Sequence, residues 1–419
     1  MRFYMDVQRA YEYDVAVIGG GTAGVFAAIS AARAGARTLL VEKNSRLGGT
    51  VTAAGVNYPG LFHAWGRQII GGPCFEAIER TVEAGGAVMP TITYRPKRHW
   101  MEQIRVNKLI YTKVIDEMCR EAGVVVKTNT MLSHATERDD GVELLLTDKA
   151  GLFLIRCGVA IDATGDANLV SMLGYPCEKS QNQQPATPDN HISGYDMAEV
   201  DTETLRVRWA DCPLSSKVTF ERLCYYLNFH KFDCHVDCRD AETSEGRAIL
   251  EERAVAELYE YIAFLRGIKG LEKITVDSLA DECGVRESLR VVGEHIVTAE
   301  EYLAGASYPD SVCYAFYPID LHVEKGIEQT FLREDVVPRI PYGALIPKGA
   351  KRILCAGRSV SSDVYANSAL RVQAPCMAMG QAAGVAAALA AQSGSDVKRV
   401  EISRLREGLE RLGAIVPQE

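Results

Sequence analysis

The apolar and polar pattern is clearest near the N-terminus. Tyr13–Ile18 (YDVAVI) is a short β-branched run and predicts a buried parallel strand. A glycine cluster, Gly19–Gly24, follows it. Val25–Ala34 is Ala-rich and predicts a helix that stops at Gly35. Arg37–Val41 is a second apolar run. Further along, Val159–Asp162 and Arg352–Cys355 predict two more short strands. His99-Trp100 opens a helical stretch, and Lys108–Ala122 keeps helical periodicity up to Gly123. Gly246–Leu265 is charged, with apolar residues at helical spacing, and predicts an amphipathic helix. Gln373–Ala391 predicts a long helix of small residues, with Pro375 in its first turn. Gln181–Asp201, rich in Asn, Gln, Pro and Asp, predicts a loop that opens a second domain. No internal repeat interrupts this order.

Composition narrows the class. At about 150 residues per domain, 419 residues suggest two or three domains. Hydrophobic residues at 47% and charged residues at 24% describe a folded globular chain rather than a disordered one. A net charge of -9 argues against a nucleic-acid binder. Twelve cysteines without a preceding signal peptide suggest reduced thiols and a cytoplasmic protein. Cys224, Cys234 and Cys238 lie near His235, but their spacing matches no standard zinc or iron–sulfur pattern, so no metal is expected. The most apolar segment, Cys376–Ala391, is shorter than the roughly 20 residues of a membrane span and reads as a buried helix.

The glycine cluster carries the first chemistry. Gly19, Gly21 and Gly24 form a G-x-G-x-x-G with Thr22 and Ala23 between them. It sits between a strand and a helix. The first glycine permits a tight turn, the second lets backbone approach a pyrophosphate, and the third lets helix pack on strand. The helix N-terminus offers free N–H groups to phosphates. Glu42, 18 residues after Gly24, is placed to accept hydrogen bonds from a ribose diol. This unit serves NAD and FAD alike. The loop Lys43–Thr50, with Gly48-Gly49, suits a longer cofactor with a ribityl chain.

The combination of Val41–Lys43 with Leu47–Thr50, Ile161–Asp166, Gly284–Ser288, Ile340–Gly349, Ala356–Arg358 and Arg371–Gly384 resembles the FAD-dependent oxidoreductases. It is similar to the glutathione-reductase-like superfamily, on the branch with the fumarate-reductase flavoproteins. The resemblance spans both ends of the chain, while Ser180–Ala280 matches nothing placed. It implies an α/β fold: a Rossmann-like FAD-binding domain of three-layer β/β/α architecture with an inserted α+β substrate (cap) domain. Residues 1–170 and 336–419 would form the discontinuous FAD domain, and 171–335 the cap.

The same resemblance implies residue roles. Gly19, Gly21, Thr22, Ala23 and Gly24 would meet the pyrophosphate, and Glu42 the adenosine ribose. Lys43 would lie near the adenine side, and Gly48, Gly49 and Thr50 along the ribityl chain. Ala163, Thr164, Gly165 and Asp166 would close the site near the pyrophosphate. Val124–Thr130 and Val142–Thr147 would pair in a β-meander, with backbone near Met131 at the adenine edge. Gly357 and Arg358 would face phosphates or ribityl chain. Ala374, Cys376 and Met377 would start a helix aimed at the flavin pyrimidine, where reduced flavin carries negative charge.

The substrate side leaves alternatives open. Arg286-Glu287-Ser288 with Arg290 can grip a carboxylate, or can start a helix with Arg290 and Glu294 as an i,i+4 pair. Asp320 and His322 alternate on one strand face, as an acid–base couple or a structural pair. The family repeats a similar P-I-D-x-H near the flavin face, which tilts the reading to function. Tyr342 is placed to protonate an enolate, and Arg371 to bind FAD or substrate. His63 can line the active site, tether the flavin, or make a loop hydrogen bond. The dithiol of disulfide reductases is absent near Gly48–Asn57. The expected activity is hydride transfer between a small organic substrate, a carboxylate among the options, and flavin N5. A non-redox FAD isomerase or lyase and an electron-transfer subunit are the alternatives. No nucleic acid or membrane partner is expected, and a homo-oligomer stays open.

Overall fold

The computed structural model describes residues 7, 9–86, 88–89, 91, 103–323 and 326–418. The helical stretch expected from His99-Trp100 lies outside these residues. The chain folds as mixed α/β around a seven-stranded sheet. Four strands meet in parallel: Val125–Lys127, Thr38–Val41, Ala10–Ile18 and Gly151–Asp162. Ile353–Cys355, almost 200 residues later, adds in parallel to the far half of Gly151–Asp162. Its near half instead pairs antiparallel with Gly141–Asp148, which pairs with Met131–Arg138. One strand of 12 residues thus belongs both to the parallel sheet and to a meander.

Register brings the strand ends level. Ile18 pairs with Val41 and with Asp162, and Asp162 pairs with Cys355. The turns after these residues therefore leave from one edge, where open α/β sheets bind ligands. The first strand is buried because Val15, Ala16, Val17 and Ile18 are at most 3% exposed. Burial of each large aliphatic side chain contributes about 1.5–3 kcal/mol.

Helices Gly24–Arg33 and Gln373–Ser393 pack on one face of the sheet. The contact is close because Gly380 and Gly384 face the backbone of Ala23 and Ala27; a Cβ on either would sit 2.2 Å from a carbonyl oxygen. Helix Gln373–Ser393 has 21 residues, longer than its apolar segment implied and long enough to cross a membrane. Some 89% of its apolar window is buried within the fold, as a core helix requires. The opposite face of the sheet packs against the meander and Asn168–Met172. A further core belongs to residues of the middle of the chain, around Trp209, Phe232, Tyr261 and Leu265.

Three sequence expectations change. Val125–Lys127 joins the parallel sheet, and the meander instead begins at Met131. Asn129 (φ 50°) takes a left-handed conformation between the two strands and separates them. Gln181–Asp201 is not all loop: Asn190–Ser193 forms a strand that buries Asn190 and Ile192. Arg290 does not start a helix. Leu289–Val291 pairs antiparallel with Cys177–Lys179, Arg290 bonds Glu287 at 2.6 Å, and Glu294 pairs with Lys398. The buried Glu287 carboxylate outcompetes an exposed i,i+4 partner for the guanidinium.

Candidate active site

A cavity of about 890 Å³ opens at the level strand ends. That size falls in the range of small-molecule and cofactor sites. One end is the glycine turn. Gly19 (φ 102°) needs a conformation that side chains rarely adopt, and a Cβ on Gly24 would lie 1.7 Å from the Gly19 carbonyl oxygen. Gly24 therefore faces strand and turn rather than cavity. Gly21, by contrast, has open space where its side chain would be, with Gly49 Cα at 3.8 Å. The buried Thr22 hydroxyl has no protein partner and lies on the cavity wall beside Ala23.

Glu42 follows the second strand and is 6% exposed. Its Oε2 accepts from Gly20 N–H at 2.7 Å, and its Oε1 from Asn44 N–H at 2.8 Å. Burial pushes its pKa up, while these two bonds oppose the shift. Each oxygen keeps a lone pair for a further donor. Lys43 lies on the wall but bonds Glu282 at 2.6 Å, a residue from the middle of the chain. Gly49, Thr50 and Met131 also line the cavity. Gly48 does not; its N–H donates to Gly20 at 2.8 Å and shapes the loop.

The third turn is braced from within. Asp162 Oδ1 accepts from the Thr164 N–H at 3.0 Å and the Thr164 hydroxyl at 2.7 Å, while its Oδ2 accepts from Val170 N–H. Ala163, Thr164, Gly165 and Asp166 all line the cavity. Asp166 accepts from Arg358, from Ser288 at 2.7 Å and from Arg247 at 3.4 Å. Arg358 also donates to the Gly165 and Val285 carbonyls. Its guanidinium is therefore a clamp between the strand-end turns and the 285 segment, whereas Gly357 simply lines the wall. At the start of helix Gln373–Ser393, Val372, Gln373 and Cys376 line the cavity. Ala374 and Met377 are fully buried in the core instead.

The other end is assembled from side chains. Arg286, Tyr317, Asp320, His322 and Arg371 converge on it. The Arg286 guanidinium donates to the Pro185 carbonyl at 2.7 Å and the Thr187 hydroxyl at 2.8 Å. Burial, with the charge of Arg371 nearby, pushes its pKa down to about 9. Arg371 is half-buried on the cavity wall, and its Nη2 donates to the Gln184 side-chain oxygen and to the Asp320 carbonyl, both at 3.2 Å. Its Nε is buried without a partner. Burial also lowers its pKa. His322 Nε2 lies 3.1 Å from Asp320 Oδ2, so both alternating residues do meet on one face of Ile319–Val323. Gln329 donates to the other oxygen of Asp320 at 2.7 Å. Burial raises the Asp320 pKa, but the hydrogen bonds of His322 and Gln329 and the charge of Arg371 outweigh it, leaving the carboxyl below its ordinary range. Burial and the two guanidinium groups push His322 down to about 3, so it is neutral near pH 7.

Two expected residues fall elsewhere. Tyr342 is buried and donates its hydroxyl to the Val397 carbonyl at 2.9 Å. Its side chain points into the core, away from the cavity, so it has no access to an enolate there. His63 is 2% exposed and stacks edge-on against Phe75, with ring centroids 5.7 Å apart. It is not on the cavity wall, and its Nε2 has no protein partner. Other residues were given no site role by motif reading. Arg247 and Glu282 reach the cavity from the middle of the chain, Tyr317 from the turn before Asp320, and His235 stands behind His322. Only the Tyr-Pro-Ile-Asp-x-His string hinted at Tyr317.

A family model described as FAD dependent oxidoreductase matches residues 14–409. The chain belongs to this family. FAD is its cofactor, and the glycine turn, the open space at Gly21 and the unpartnered Thr22 hydroxyl fit that group. Among curated relatives of this flavoenzyme, the thiamine thiazole synthase of Methanococcus vannielii is 25% identical over 172 residues, 39% of this chain and 60% of the relative. The chain thus spans less than two thirds of that relative. Among solved structures, BexE, studied for oxidation during BE-7585A biosynthesis, superposes with a TM-score of 0.50 at 11% identity, covering 96% of this chain and 66% of its own. A geranylgeranyl bacteriochlorophyll reductase-like protein of Thermoplasma acidophilum gives a TM-score of 0.47 at 13% identity, covering 96% of this chain and 83% of its own. The likeness to BexE is one of fold.

Proposed function

We propose that this flavoenzyme oxidises a small organic acid, with the acid's carboxylate held by Arg286 and Arg371 and its proton taken by the Asp320–His322 pair. The observation that carries the reading is one cavity wall bearing two half-buried guanidinium groups beside a neutral imidazole, with the glycine turn on the same cavity. Guanidinium forks favour planar anions, because a carboxylate both neutralises and hydrogen-bonds them. Bound FAD supplies a two-electron acceptor for a hydride leaving a substrate carbon.

The remaining roles belong to the chain. Gly19, Gly21, Thr22 and Ala23 would run along the pyrophosphate, with the free Thr22 hydroxyl as a donor. Glu42 would accept from the ribose, Thr50 and Gly357 would border the ribityl chain, and the backbone near Met131 would meet the adenine. The N-terminus of Gln373–Ser393 would face the flavin ring. In this reading residues 1–170 and 336–419 carry the cofactor, and 171–335 cover it and hold the substrate. Arg286 and Arg371 orient the acid, and Asp320 holds the His322 ring as it accepts a proton. Tyr342 and His63 take no part.

The test is anaerobic absorbance of the bound flavin during addition of small 2-hydroxy and 2-amino acids. Bleaching by an acid and not by its neutral alcohol or amide analogue is expected. Equal bleaching by the neutral analogue, or none by any acid, overturns the reading.

A further inference from the structure

His322 does not end its own hydrogen-bond chain. Its Nδ1 lies 3.0 Å from His235 Nε2, and His235 Nδ1 lies 3.2 Å from the Val323 carbonyl oxygen. At the other end, His322 Nε2 lies 3.1 Å from Asp320 Oδ2. Both ends of this chain, a carbonyl and a carboxylate, are acceptors only. Three contacts in series between two acceptors need three protons. Two neutral imidazoles carry two. A neutral pair therefore leaves one contact with lone pair facing lone pair, and one added proton completes all three bonds.

Several charges face the pair. Arg286 and Arg371 lie on the cavity side, Asp320 on the strand of His322, and Asp233 and Arg222 near His235. Burial first, and then the nearby guanidinium charge, lower both imidazoles, His235 to about 4 and His322 to about 3. The resting pair is thus neutral and one proton short. What depresses it besides burial is positive charge, and a bound anion cancels positive charge.

We propose that His235 and His322 act as a single proton-accepting dyad, loaded with one proton when an anion occupies Arg286 and Arg371. This rests on the carboxylate reading of that site. His235 is outside the cavity wall, so it acts through His322 as a positioning residue. In turnover the one missing proton is the substrate's own: its O–H or N–H bond breaks, that proton forms the third N–H bond of the dyad, and the neighbouring C–H bond breaks with its hydrogen and electron pair passing to FAD as the oxidant. The placement links substrate binding to base strength: the acid raises the proton affinity of the group that then deprotonates it.

Calorimetry on the FAD-loaded protein tests the linkage, with malonate as the probe anion in two buffers of different ionisation enthalpy near pH 7. The difference between buffers reads the protons taken up per malonate bound. Uptake close to one proton is expected, falling towards zero in His235→Asn while malonate still binds. Malonate binding without uptake, or undiminished uptake in His235→Asn, overturns the dyad and leaves the anion site standing. Absence of malonate binding overturns the anion site. In that case ¹⁵N imidazole spectra of the unsubstituted protein during acid titration decide the dyad alone. One proton shared by both rings supports it, and two independent titrations overturn it.

Discussion

The glycine end of the cavity is built from backbone, and the acid–base end from side chains. At the glycine end, strand, turn and helix are consecutive, and the decisive contacts are between atoms a few residues apart. Gly24 touches Gly19, and Glu42 bonds Gly20 and Asn44. At the other end, Gln184, His235, Arg286, Asp320 and Arg371 come from five separate stretches and depend on one another for partners. Backbone geometry tolerates little change but is locally encoded. A side-chain cluster tolerates change in each member but exists only after the chain has folded.

Breaking the backbone end has the largest effect. Gly24→Val drives a side chain into the Gly19 carbonyl, where overpacking costs about 1–3 kcal/mol or more. Loss of bound flavin on gel filtration and a lower unfolding temperature are expected; retention of flavin would show the turn to be less constrained than its geometry. Next comes His322→Gln. Turnover should fall by roughly 10²–10⁴, the range of positioned acid–base groups, with flavin content unchanged.

The two half-buried imidazoles also set a pH dependence. With folded values of about 3 and 4 against an ordinary 6.5, the unfolded chain binds protons first as pH falls. In carboxylate-free buffer, stability should decline between pH 6.5 and these values, and more gently in His322→Gln, as measured by denaturant midpoints.

Arg371→Met is expected to act on binding. Loss of a charge-assisted contact of about 1.5–3 kcal/mol raises the acid's KM roughly 10- to 150-fold. An unchanged KM would move the anion site elsewhere. The smallest effect is at Tyr342→Phe, which removes one buried hydroxyl bond. It should cost about 1 kcal/mol of stability with kcat untouched. A large fall in kcat would return Tyr342 to the chemistry.

Legibility followed the same division. The strand Ala10–Ile18, the turn after it, the helix Gly24–Arg33 and the acid at Glu42 could be read because each is specified by neighbours in sequence. The Asp320–His322 pair was legible for the same reason, since alternation on a strand places residues two apart on one face. His235 was visible only as a neighbour of cysteines, and nothing local pointed it at His322. Tyr342 was misread because proximity in sequence to a cofactor segment says nothing about which side of a core a ring enters.

By itself the sequence determined the sheet's leading strands, the nucleotide turn, the family resemblance and the cofactor. The strands and the turn rest on short-range periodicity and on glycines whose steric demands are local; FAD rather than NAD rested on the resemblance of motifs along the chain to a family. Tertiary structure alone decided that Ile353–Cys355 completes the sheet beside Asp162, that Arg358 turns to Asp166, and that His235 meets His322. Those contacts join residues far apart in the chain, and their partners are chosen by burial and charge once the backbone is in place.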